Sequence, residues 1–169
     1  MKRGLALGLF ALILSACTVT LRPGDVSLRI EFGLELADVI TRFEPTRGPG
    51  AVYRVGEPVQ FVITLRQAGY VTLVAVDEDG RAEEFERNLF LPAGTHTLPP
   101  PGARYRYEVS FPTGVQRVRA IYTSTPAPAS VRFRGVFQSD GLNRHTALFI
   151  EKSAARLRDV RETFFHIVP

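Results

Sequence analysis

An alternation of apolar and polar residues with a period of two recurs in short runs along most of this chain, and it constrains the fold more than any other feature. Successive side chains on a strand point to opposite faces, so such runs describe strands with one buried face. Val26, Leu28, Ile30 and Phe32 alternate with Ser27, Arg29 and Glu31 and predict a first strand. Leu34 to Phe43 reads as a second strand or a short helical turn, and Thr46 to Gly50 as a Pro/Gly loop. Val59, Phe61, Ile63 and Leu65 form the next inward row, closed by a turn at Gln67-Ala68-Gly69.

Tyr70 to Val76 is almost continuously apolar, the pattern of a strand covered on both faces at the centre of a sheet. Asp77-Glu78-Asp79-Gly80 then predicts a hairpin tip, with Gly80 free to take a positive φ, and residues 82–91 return along it. Beyond the stiff Pro99-Pro100-Pro101-Gly102 connector, Tyr105, Tyr107, Val109 and Phe111 alternate with Arg104, Arg106 and Glu108. Val115 to Tyr122 and Val131 to Phe137 are further strands, separated by the Pro/Ala/Ser stretch 125–130. Asp140 is placed to cap a helix over roughly 142–158, whose apolar face holds Leu142, Phe149, Ile150, Ala154 and Leu157. Thr163 to Val168 closes the chain as a strand. These readings predict a mainly β fold, an antiparallel β-sandwich (Ig-like or small and barrel-like) with one C-terminal helix. Frequent Gly and Pro (14 and 12 residues) and the absence of Trp suit the many turns such a fold needs.

The N-terminus carries a different signal. Met1-Lys2-Arg3 is basic, Gly4 to Leu14 is apolar, and Ser15-Ala16-Cys17 follows. This is the three-part pattern of a secretory signal, too short for a mature membrane-spanning helix, which takes about 20 apolar residues. Leu14-Ser15-Ala16-Cys17 resembles the lipobox of bacterial lipoproteins. That resemblance implies cleavage before Cys17 and a diacylglycerol and N-acyl chain on its thiol and amine as the only covalent additions, with no other cofactor. Cys17 is the sole cysteine, so no disulfide framework is available. Thr18, where an aspartate would retain a lipoprotein at the inner membrane, implies an outer-membrane destination in a two-membrane host.

The expected organisation is a signal peptide at 1–16, a lipidated tether at 17–25, a β-sandwich core at 26–124, and a strand-helix-strand extension at 125–169 packed on the same domain. Removing residues 1–16 takes Lys2 and Arg3 with it, lowering the formal charge from +4 to +2. With no block of like charges and no nucleic-acid-binding motif, nucleic acid is not an expected partner.

Ordered motifs in the central stretch resemble a bacterial envelope domain known as domain of unknown function 4384. Tyr53-Arg54-Val55-Gly56-Glu57-Pro58-Val59 is similar to its Y-x-V-G-E-x-V segment, and Gly69-Tyr70 with the strand to Asp77 to its G-Y-hydrophobic strand. Asp79-Gly80-Arg81, Leu91-Pro92-Ala93-Gly94 and Leu98-Pro99 follow in order. Phe111-Pro112-Thr113-Gly114 and Val118-Arg119-Ala120-Ile121 resemble its closing P-x-G-x-x-x-hydrophobic-x-A segment. The resemblance spans about 43–124 and departs at Phe85-Glu86-Arg87-Asn88, where the family tends to show an F-P-N turn. It implies a β scaffold with an envelope role and no assigned chemistry.

No catalytic constellation is visible. There is no G-x-S-x-G elbow, and the paired carboxylates Glu83-Glu84 and Asp77/Asp79 fall in expected loops. His96, His145 and His166 are far apart, and Asp77, Asp79 and Gly80 match only a fragment of a calcium loop. Asp77, Asp79 and His96 are the weak metal candidates, and no metal site is expected. The arginine pairs Arg104/Arg106, Arg117/Arg119 and Arg132/Arg134 each sit two apart on predicted strands. If those strands are neighbours, they present a guanidinium stripe suited to carboxylates or phosphates. The expected role is a non-enzymatic, membrane-anchored envelope lipoprotein binding another envelope component. A protein partner such as a porin or surface-layer assembly comes first, an acidic glycan second. The competing expectations are a metal-dependent envelope enzyme whose site assembles only in the fold, and an assembly accessory for exported proteins.

Overall fold

Strong alternation gives strands wherever one face can be covered. The structure, a computed structural model, describes residues 34–169. The expected signal segment with Leu14, Ser15, Ala16 and Cys17, the expected tether and the predicted strand at Val26 to Phe32 lie outside the described residues. The strands are β1 (Ile40–Pro45), β2 (Val52–Arg54), β3 (Pro58–Val59), β4 (Phe61–Leu65), β5 (Gly69–Val76) and β6 (Arg81–Leu91). They are followed by β7 (Gly94–Leu98), β8 (Tyr107–Glu108), β9 (Gly114–Thr123) and β10 (Arg134–Val136), then the helix α1 (Ser139–Lys152) and β11 (Arg158–Val168).

A six-stranded sheet ordered β10-β6-β5-β9-β11-β2 packs against a three-stranded sheet ordered β1-β4-β7, and a short β3-β8 ribbon stands beside them. Neither sheet closes into a barrel. The pairing is antiparallel except between β11 and β2, which run parallel. Between the sheets lies the main core, with Phe43, Phe61, Ile63, Leu65 and Leu98 set against Val71, Leu73, Val118, Tyr122 and Phe165. A second core lies on the other face of the large sheet, where Val74, Val76, Ile121 and Val160 meet Leu142, Phe149 and Ile150 of α1. Strand β5 therefore faces a core on each side, which explains its unbroken apolar run. Each large side chain buried this way contributes roughly 1.5–3 kcal/mol.

Three elements differ from their sequence reading. The helix ends at Lys152, and Ala154 takes φ 54° as the chain turns into β11. Residues 158–167 instead pair with β9 over a ten-residue ladder, which outweighs another helical turn. Asp140 does not cap α1, because Gln138 occupies that position without a side-chain cap bond. Asp140 sits in the first turn, favourable toward the helix dipole, and pairs with Arg144 at 2.7 Å. The row Tyr105 to Phe111 yields only the two-residue β8: Tyr107 and Val109 are buried, whereas Tyr105 and Phe111 are exposed.

Candidate functional site

The chemistry-bearing residues singled out in the sequence are largely occupied by the fold. Asp77 is buried at the β5-β6 hairpin, where its Oδ1 accepts the Arg81 amide at 2.8 Å and its carbonyl accepts the Gly80 amide at 3.1 Å. That is a turn-closing role. Gly80, at φ 78°, supplies the positive φ expected at the tip. Asp79 is exposed, and His96 lies on β7 in the other sheet, its ring Nε2 2.8 Å from the Pro92 carbonyl. Among the described residues no three His, Cys, Asp or Glu side chains gather as a metal group. His145 instead reaches the Arg132 carbonyl at 2.8 Å and packs between Phe133 and Phe137.

The arginine pairs do not form one stripe, because their strands are not neighbours. Arg134 lies on the edge strand β10 with Arg132 just before it; Arg117 and Arg119 lie on β9, separated from β10 by β6 and β5; Arg106 precedes β8 in the separate ribbon. Arg119 is buried beneath α1, bound to Glu162, Thr146 and Asn143, so it is unavailable to a ligand. Arg106 pairs with Glu108 at 2.7 Å. Arg104, Arg132 and Arg134 are exposed, and Arg134 is in register with Glu83 across the β6-β10 ladder. Arg117 is exposed and makes no ion pair among the described residues.

Two of the open clefts are lined by residues of both β9 and β11. Arg117 faces Phe164 across the β9-β11 ladder and Gln116 faces Phe165, so consecutive residues send side chains to opposite faces. The first cleft, about 590 Å³, lies between β1 and β11. Arg42, Arg117 and Arg161 line it, with Phe43, Phe164 and Pro49 as apolar wall. Its two carboxylates are engaged: Glu44 by the Arg42 guanidinium, whose Nε donates at 2.8 Å, and Glu162 by Arg119 at 2.6 Å. Among the described residues Arg161 makes one long contact, to Asp38 at 3.4 Å, and neither its buried Nε nor the buried Thr163 hydroxyl has a partner. Three cations against two carboxylates leave this wall positive. Arg161 was not legible as a site residue because the sequence pattern starts the last strand at Thr163, whereas β11 begins at Arg158, five residues earlier.

The second cleft, about 350 Å³, lies beneath β8 and is lined by Phe61, Phe85, Tyr105, Tyr107 and Phe165. The Tyr105 and Tyr107 hydroxyls both donate to Glu86 Oε2, at 2.6 and 2.7 Å. Tyr105 is held above the usual phenol range chiefly by this bond to Glu86, and Tyr107 by burial and then the same carboxylate. Both phenols are therefore protonated donors, with the Glu86 side chain as their shared acceptor. Glu86 falls within the tetrapeptide where the sequence departs from the family's turn.

Comparison with curated proteins and with solved structures returns no significant match. Family comparison agrees with the motif reading: residues 52–126, from β2 through β9 and just past it, match the family described as Domain of unknown function (DUF4384).

Proposed function

We propose that this protein is a membrane-anchored envelope lipoprotein, fastened through acyl chains on Cys17, whose β-domain is a non-enzymatic binding module for an acidic group on another envelope component. The anchor rests on the lipobox-like Leu14-Ser15-Ala16-Cys17 behind a secretory-type segment. Two or more acyl chains make such attachment stable where one chain alone binds marginally. Thr18 supports the outer membrane as its site. The observation that carries the binding role is the cleft between β1 and β11, where Arg117 has no carboxylate partner among the described residues and Arg161 has only a distant one. Guanidinium forks recognise carboxylates and phosphates by paired hydrogen bonds without any chemical step. An envelope protein complex is the first partner and an acidic glycan the second.

Affinity capture from detergent-solubilised membranes, with a tagged chain retaining Cys17, tests the role. The parent should bring down a partner and Arg117→Glu should lose it. Recovery of the parent only as a free monomer, across several mild detergents, overturns the binding role. Firm membrane attachment of Cys17→Ser, with no lipid mass on the parent, overturns the anchor separately.

A further inference from the structure

We propose that the aromatic cleft beneath β8 is a second binding site, one that takes an organic cation: an ammonium or guanidinium group on an apolar stem. Its lining includes the rings of Phe85, Tyr105 and Tyr107, and aromatic rings attract cations through their quadrupole. The rings of Phe85 and Tyr107 meet edge to face with centroids 4.9 Å apart, and Tyr105 stands 6.0 Å from Tyr107 at the mouth, half exposed.

Charge selects the occupant. Arg106 and Glu108 line the cleft but neutralise each other at 2.7 Å. Glu83, also in the lining, makes no ion pair among the described residues, and neither does Glu86 behind the tyrosines. Arg134, in register with Glu83 across the ladder, is exposed and forms no ion pair with it. The cleft is therefore negative as well as aromatic, which disfavours an anion and gives a cation an advantage over a neutral molecule of the same shape. Both phenols donate to one oxygen of Glu86, Oε2, so a carboxylate stands directly behind the two lining hydroxyls. By donating to a carboxylate, each phenol also becomes more electron-rich, which strengthens its ring face toward a cation.

Sources for such a group include a free alkylammonium and a basic side chain of a protein. Choline and an N-acetyl-lysine amide represent the two, and 3,3-dimethylbutan-1-ol is the uncharged counterpart of choline. The test is an NMR titration of the full chain carrying Cys17→Ser, following the amides of Phe85 and of Tyr105 to Val109. Choline or the lysine amide should shift these resonances saturably, and the alcohol should bind about tenfold more weakly or not at all. Whichever cation binds more tightly identifies the source. Glu86→Gln keeps an acceptor for both phenols while removing the charge, and should weaken binding about tenfold. Glu83→Gln, at an exposed position, should weaken it less. Equal affinity for choline and the alcohol, parent-like affinity in Glu86→Gln with a well-dispersed spectrum, or no response to either cation at ~10 mM would each overturn the site. None of these readouts depends on the guanidinium cleft or on lipidation.

Discussion

The Arg119 guanidinium and the Glu162 carboxylate face each other across the β9-β11 ladder at 2.6 Å, directly beneath α1. Two further donors of the same guanidinium reach Thr146 Oγ1 at 2.7 Å and Asn143 Oδ1 at 2.9 Å on the helix. One buried side chain thus ties two strands and the helix together. Arg119→Met should destabilise the fold by about 3 kcal/mol, because it strands Glu162 without its counter-charge. Arg117→Gln, two residues along and exposed, should stay within about 0.5 kcal/mol. Urea unfolding of the two variants checks the contrast, and equal effects would refute the assignment.

A second fastening lies where the sequence departs from the family's turn. Asn88 adopts φ 50° at a bulge in β6, and its side-chain amide donates to the Ala127 carbonyl at 2.9 Å while accepting the Ala127 amide at 2.8 Å. Asn88→Gly keeps the backbone conformation and loses both bonds, a cost of about 2 kcal/mol. Asn88→Ala loses the same bonds and adds left-handed strain of about 1 kcal/mol. Thermal melts should rank parent above Asn88→Gly above Asn88→Ala. The reverse order of the two variants would show that the conformation, not the amide pair, is unimportant.

What the sequence made legible was whatever period-two burial and turn chemistry encode locally: the inward row Val59 to Leu65, the doubly buried β5, the Asp77–Gly80 tip and the mainly β class. What it hid was set by pairing at a distance. Tyr105 and Phe111 alternate as well as Tyr107 and Val109 do, yet only the middle two meet the core, where Tyr107 pairs with Val59 and the Val109 amide donates to the Glu57 carbonyl. Ala154 stops the helix in a left-handed conformation with no glycine to announce it. The arginine pairs read alike in sequence, but strand order buries Arg119, pairs Arg106 with Glu108 and leaves Arg117 in a cleft. Arg161 and Glu86 acquire their roles only from neighbours far along the chain.

Gly69, at the start of β5, makes a packing demand that no local pattern reveals. A Cβ there would lie 2.4 Å from the Tyr122 ring and 2.6 Å from its hydroxyl, which donates to the Ala68 carbonyl at 2.8 Å. Tyr122 is fully buried and cannot swing aside without losing that bond. Gly69→Ala should therefore cost about 2–3 kcal/mol despite the mildness of the change. The double variant Gly69→Ala with Tyr122→Phe should cost less than the sum of the two single changes, a coupling measurable by urea unfolding. Strict additivity would contradict the contact.

The Tyr107 phenol gives the fold a dependence on alkaline pH whose sign is fixed by its surroundings. Burial, then the hydrogen bond to Glu86, then the charge of Glu86 all favour its neutral form and raise it above the ordinary value of 10.0. An unfolded tyrosine ionises near that ordinary value while the folded one holds its proton. Above pH 10 the unfolded chain therefore binds fewer protons than the native one, and stability falls as pH rises. Below pH 10 the contribution is fully present. Tyr107→Phe removes both the bond to Glu86 and this titration. At pH 7 it should be less stable than the parent by about 1.5–3 kcal/mol, the usual worth of a hydrogen bond to a charged group. From pH 10 upward the difference should shrink by at most about 1.4 kcal/mol per pH unit. Denaturant titrations at pH 7, 9, 10 and 11 measure it. A difference constant across the series would mean that Tyr107 ionises alike in both states, contrary to its buried position against a carboxylate.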